Sequence, residues 1–404
     1  MTDSTRRPAD SYSPLYFLAS LGAGGLAVTF FMFLMFWVPH EGRPVPVFED
    51  LMAVFQTGSV ALKLTVLLAM VGIAVFAFLN VKYLAWNLSA LSAFRKTDAY
   101  AKLRASNGET TLLAGPLAAA MTINAMFIVG LVFVPGLWGI VEYLFPLALA
   151  AFLGLGLWAF SLIGDFLGRV LTKGGVFDGT ANNSFAQLLP AFALSMVGVG
   201  LAAPATMSLN TVTAGASLVL STFFGIAAIL YTVVAAIIAF NSMLHHGTAK
   251  EAGPTLMVIV PIVTVLGILF LRQGHGLHVS FDVHDAAGET MVFLARLLTV
   301  QVLFLMLGML VLRRQGYFKD FVFGAKTSPG SYALVCPGVA LTVMLHFFVN
   351  KGLVAAGVID KFGPTFWVIT AIALVSQAAM IALVFRLNRQ HFGASAEPAL
   401  VPGE

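Results

Sequence analysis

The chain is 404 residues long, 59% hydrophobic and only 10% charged, with 22 Lys+Arg against 18 Asp+Glu for a formal net charge of +4. Charged residues of a soluble globular domain run near ~25%, so this composition excludes a water-facing enzyme domain and a disordered chain. Nucleic-acid binding is excluded as well, because the basic residues are scattered between apolar stretches and form no dense run.

From the N-terminus, residues 1–14 (MTDSTRRPADSYSP) are polar and lack the short apolar core and small-residue cleavage site of a secretory signal, so they read as a retained cytoplasmic tail. Ten apolar segments follow: 15–38, 59–81, 111–134, 140–164, 185–206, 212–240, 254–272, 291–313, 331–351 and 364–386. At ~1.5 Å per residue each crosses roughly 30 Å of hydrocarbon, whereas barrel strands would be shorter and would alternate. The predicted fold is an all-α polytopic membrane protein, a ten-helix transmembrane domain over 15–386 with a second cytoplasmic tail over 387–404. Cys336 is the one cysteine, so no internal disulfide supports it.

Basic residues set the orientation, because cytoplasmic loops retain Lys and Arg. With the N-terminus inside, all but six of the 22 fall on the inner side; the exceptions are Arg43, Lys63, Arg272, Arg296, Lys351 and Lys361. Both termini are therefore expected in the cytoplasm, as an even number of spans requires.

The third, fifth, seventh and ninth spans align on a proline: LLAG-Pro116-LAAAMTINAMF, AQLL-Pro190-AFALSMVGVGL, MVIV-Pro261-IVTVLGILFL and ALVC-Pro337-GVALTVMLHFF. The separations, 74, 71 and 76 residues, match two helices plus loops, so the repeating unit is a helical hairpin. Pro14, or the Gly22, Gly24, Gly25 cluster, would extend the array to five. Proline within a helix removes a hydrogen bond and clashes with the preceding turn, so the odd helices are expected to be bent and to line a central path, where irregular backbone is tolerated. The bland alternative places these prolines in the first turn of each helix, where proline is favoured anyway. Pro146 in the fourth span is the nearest even-numbered counterpart.

Ten spans, both ends inside, five hairpins and bent odd helices resemble the slow-anion-channel and tellurite-resistance/dicarboxylate transporter superfamily, over nearly the whole chain. That resemblance implies five inner helices around a pore, a plugging phenylalanine on the ninth helix and a homotrimer. The candidates for the plug are Phe347 and Phe348, which lie past the midplane; Phe127, at the matching place in the third span, points instead to an aromatic layer. The stretch SPLYFLASLGAGGLAVTFFMFLMFWVPH also resembles a bacterial group, the TsoY-family (seleno)proteins, which implies location in a bacterial inner membrane. Some members of that group carry selenocysteine where this chain carries cysteine, and Cys336 is the available match.

Ionisable groups within spans are functional candidates by default. Lys63, Arg272 and Arg296 would give an outer vestibule a positive potential that attracts anions, or Lys63 and Arg272 simply snorkel to the headgroups. Asn124, Thr342, His346 and Asn350 are neutral donors on the odd helices; 342, 346 and 350 share one helix face, so they either point at the path or make interhelical contacts. Glu142 and Asp165 flank the fourth span and no carboxylate occupies the middle of any helix, so an acidic proton relay is missing. No G-x-x-x-x-G-K-[ST] run exists for an ATP-driven engine. His275, His278 and His284 with Asp282 and Asp285 form an outer-loop cluster that matches no strong metal motif, and His346 alone cannot hold haem. No metal or cofactor is expected. Cys336 beside Pro337 is either inert packing or, if solvent reaches it, a thiol able to attack sulfur or selenium species. The functional expectation is an anion channel or carrier for inorganic anions, sulfur or selenium oxyanions or small dicarboxylates, in contact with small anions and the lipid bilayer. A second reading is a membrane redox protein acting through Cys336, and a third is a structural subunit of a larger complex, which a partner co-purifying in mild detergent would reveal.

Overall fold

The computed structural model describes residues 8–281 and 286–393. Among them are ten helices long and apolar enough to span a membrane: α1 (Pro14–Trp37), α2 (Val60–Phe94), α3 (Asn107–Phe133), α4 (Leu137–Lys173), α5 (Phe185–Met207), α6 (Thr211–His246), α7 (Gly253–Phe281), α8 (Ala287–Arg314), α9 (Pro329–Val354) and α10 (Pro364–Phe392). The protein is an all-α polytopic membrane protein. Its odd helices all begin on one face, here the near side, and end on the opposite far side. The even helices outrun the apolar segments on the near side, α2 reaching Phe94 rather than residue 81. Hydropathy marks where lipid ends, while i→i−4 hydrogen bonding continues past it.

Two concentric rings result. In the odd helices 50 to 94% of the most apolar stretch is buried, against 17 to 39% in the even ones. α1 packs on α3, α3 on α5, α5 on α7, α7 on α9 and α9 back on α1, a closed inner ring. Each even helix fills the outer groove between its own hairpin partner and the next odd helix, α2 against α1 and α3, α4 against α3 and α5, and so on round to α10 against α9 and α1. Close approach depends on small residues, the usual device where lipid removes any hydrophobic drive between helices. A methyl group on Gly24 would lie 2.7 Å from Met121 of α3 and 2.8 Å from Asn80 of α2, and one on Gly25 would lie 2.9 Å from Val339 of α9.

The repeated prolines mark a change of helix type. Each odd helix opens in a 3-10 turn, at Pro14–Tyr16, Asn107–Leu113, Phe185–Leu188, Gly253–Met257 and Pro329–Leu334, and then becomes α-helical. Pro116, Pro190, Pro261 and Pro337 fall within the first three residues of the α-helical part. There the missing N–H lies in the first α turn, where it leaves little unsatisfied. The bend expected in mid-helix is thus a 3-10 to α junction near the start of each span. Among the described residues, irregularity at the far side is confined to α5, interrupted at Ala202, and α9, whose end Phe348–Val354 is a π-helix.

Polar side chains staple the rings. Asn80 donates to the Ser20 carbonyl at 2.8 Å while Ser20 donates to the Asn80 carbonyl at 2.8 Å, joining α1 to α2. Ser217 of α6 donates to the Leu201 carbonyl of α5 at 2.5 Å, Gln301 of α8 donates to Thr264 of α7, and Thr342 of α9 donates to the Ala373 carbonyl of α10 at 3.2 Å. At the near end of the second hairpin, Arg169 pairs with the buried Glu109 at 2.7 Å, and Arg104 reaches the same carboxylate at 3.1 Å.

Candidate functional site

The inner ring encloses a chamber of about 1170 Å³ that widens toward the far side. All five odd helices line it, and Phe145, Ala148 and Phe152 of α4 with Glu289, Thr290 and Phe293 of α8 complete the wall. Residues Pro261, Thr264, Val265, Ile268, Arg272, His275 and His278 of α7 recur at helical spacing along one wall. On the near side lies a second space of about 20 Å³, bounded by Leu15, Leu18, Phe185, Leu189, Thr255 and Val258 among others, room for about one water. Phe192 and Cys336 line both spaces, so the partition between them sits at that level. Phe192 is 3% exposed and Cys336 8%.

This relocates the narrow point expected from the sequence. Phe347 lines the chamber but packs edge-on against Phe36 of α1 at 5.3 Å, on the far-side half. Phe127 lines the same half, and Phe348 does not line the chamber at all. Phe127, Arg272 and Phe347 lie 11, 11 and 10 residues beyond Pro116, Pro261 and Pro337, so they form one layer, about 16 Å beyond the proline level. Of the prolines, Pro261 lines the chamber wall; Pro116, Pro190 and Pro337 are buried in helix contacts.

The polar stripe of α9 divides. Asn350 lines the chamber mouth, donating to the His346 carbonyl at 2.8 Å. Thr342 and His346 instead face neighbouring helices: Thr342 donates to the Gly338 and Ala373 carbonyls, and the His346 ring sits against Phe33 at 5.6 Å and Trp37 at 6.1 Å. Arg296 is exposed on the outer face of α8 and takes no part in the chamber, nor does Lys63. A charge on the outer ring reaches water by extending along its own helix and has no reason to turn inward. Asn124 does line the chamber, donating to the Ala120 carbonyl at 3.1 Å, with the Met196 sulfur 3.8 Å away.

Arg272 is the one cation of the vestibule trio that faces the chamber. Its Nη1 donates to the Val199 carbonyl of α5 at 2.7 Å, and no carboxylate pairs with it among the described residues. The mouth adds Lys351 and Lys361, also without ion-pair partners among the described residues, along with His40, His275, His278, Glu41 and Glu289. Arg43 is there too, neutralised by Asp50. Partial desolvation holds the Lys361 ammonium below the ordinary lysine value, and the next residue, Phe362, sits at φ 64°. That left-handed conformation is strained for a bulky side chain; stacking on Trp367 at 5.9 Å and edge contact with Phe366 at 5.2 Å accompany it.

Sequence reasoning missed Phe192, Lys351 and Lys361 as site residues. A signal for Phe192 existed: two residues after the aligned prolines stand Ala118, Phe192, Val263 and Val339, one aromatic among small side chains. Among the described residues no three potential metal ligands converge; His284, Asp282 and Asp285 of the outer-loop cluster lie outside them. Comparison with protein-family models, with curated proteins and with solved structures gave no match.

Proposed function

We propose that this protein is an anion channel or carrier of a bacterial inner membrane, with both termini in the cytoplasm, the chamber open to the outside and the path closed toward the cytoplasm at Phe192 and Cys336. The observation that carries this reading is a chamber walled by all five inner helices whose one interior charge among the described residues is the Arg272 guanidinium, without an ion-pair partner among those residues. In a low-dielectric wall such a cation attracts anions strongly, and Lys351 and Lys361 at the mouth raise their local concentration. Chamber walls without carboxylates below the mouth fit passage without an acidic proton relay. The resemblance to the slow-anion-channel and tellurite-resistance superfamily, with the homotrimer it implies, belongs to this reading. Inorganic anions, sulfur or selenium oxyanions and small dicarboxylates are the substrates to test.

The test is flux of chloride, nitrate, sulfite, selenite and malate into proteoliposomes. Phe192→Ala is expected to raise flux about tenfold or more, the equivalent of ~1.4 kcal/mol off the barrier. Phe348→Ala should leave it unchanged, and Arg272→Gln should lower it. No flux with any anion in any variant would defeat the reading. A second reading is favoured by one observation, the Cys336 thiol in the partition: loss of activity in Cys336→Ser with permeation intact would make this a membrane redox protein.

A further inference from the structure

The chemistry of the chamber wall narrows what it can hold, on the reading that the chamber is an anion's path. Between the Arg272 layer and the partition the wall is built of Leu21, Met121, Met196, Val265, Ile268 and Val339. The polar groups at this depth are already engaged. Asn124 spends its N–H on the Ala120 carbonyl and on the Met196 sulfur, and the Thr264 hydroxyl donates to the Val260 carbonyl at 2.9 Å while accepting from Gln301. A small hydrated anion entering here would shed water with no donors to replace it. A dicarboxylate would press its second charge on methionine and valine.

We propose that the chamber binds an amphipathic organic monoanion, with a carboxylate or sulfonate head on Arg272 and an apolar body extending toward Phe192. The ~16 Å from the Arg272 layer to the proline level accommodates a body of roughly six to twelve carbons. Arg272 spends Nη1 on the Val199 carbonyl and, among the described residues, leaves the remainder of its fork for the head, and a planar guanidinium matches an oxyanion in two-point geometry. Methionine walls adapt to chains of differing shape, because the thioether is unbranched and polarizable.

The experiment is calorimetric titration of the full chain in lipid nanodiscs with acetate, butanoate, hexanoate, octanoate, malate and chloride, using protein-free nanodiscs to subtract partition into lipid. The expected result is affinity that rises about threefold or more per added methylene from butanoate to octanoate, with malate and chloride binding more weakly than hexanoate. Arg272→Gln should weaken octanoate binding about tenfold or more, the loss of one charged hydrogen-bonded contact, and Arg272→Lys should restore part of it. Affinity in the wild-type protein that is flat with chain length, or strongest for chloride or malate, overturns the proposal whatever the variants do. Parallel flux measurements separate the two readings. Chain-length-dependent binding without flux upholds this site and defeats transport, whereas chloride or malate flux with a flat series upholds transport and defeats this site.

Discussion

The inner and outer rings are made of almost equally apolar helices, yet they meet different surroundings. The outer helices show lipid their large side chains, Leu64, Leu68 and Val71 of α2 and Val233, Val234 and Ile237 of α6 among them. Among their polar residues, Asn80, Ser217 and Gln301 turn inward as staples. The inner helices bury half or more of their most apolar stretches, nearly all in α1 and α5, and approach one another through glycine. In a bilayer, then, hydropathy separates span from loop but not core from surface, because lipid tails and a protein core are equally apolar. What separates the rings is where small residues and hydrogen-bonding groups lie along each helix.

Three substitutions sharpen that comparison. The largest effect is expected at the near end of the second hairpin, where Arg169→Ala leaves the Glu109 carboxylate, 2% exposed, with only Arg104 at 3.1 Å. Stripping a partner from a buried charge costs about 3–5 kcal/mol, read as a lowered unfolding temperature in detergent. Next comes Gly276→Ala on α7, whose new methyl would sit 2.7 Å from the Ala205 carbonyl oxygen of α5, an obstacle that no side-chain rotation relieves. A cost of about 1–3 kcal/mol follows from such overpacking. Its outer-ring counterpart, Gly154→Ala on α4, meets no atom within 4 Å, and should be neutral or stabilising by up to about 1 kcal/mol through helix propensity. Equal costs at Gly276 and Gly154 would break the two-ring description.

The smallest effect is a pH dependence at the near side. Hydrogen bonds from Lys250 and then Lys326 hold the Asp320 carboxyl below the ordinary aspartate value. A depressed folded value means that the contribution is complete above the unfolded value near ~3.9 and is lost as pH falls through the folded one. Unfolding midpoints measured from neutral pH downward should therefore decline at acidic pH more in the wild-type protein than in Asp320→Asn.

Span number, hairpin repeat and the inner position of the odd helices were all legible, because a bilayer imposes length and a 3.6-residue period imposes faces. The candidate site was less so. Asn124 and Arg272 face the chamber as the sequence reading allowed, but His346 turns to Phe33 and Trp37, and Arg296 turns outward. One helix sequence names a face without saying which neighbour it meets. Phe192 drew no notice within AFALSMVGVGL, one aromatic in a chain that has 35 phenylalanines.

The sequence by itself determined that this is an all-α membrane protein of repeated hairpins, since about 20 apolar residues per span and a recurring proline are local properties. Only the tertiary structure decided that five helices close a ring around a chamber and that Phe192 and Cys336 both line the partition below it. It also left the Arg272 guanidinium facing the chamber without a counter-charge among the described residues. These depend on the relative depth and rotation of helices more than sixty residues apart in the chain, which are fixed by glycine contacts and interhelical hydrogen bonds that exist only once the helices have packed.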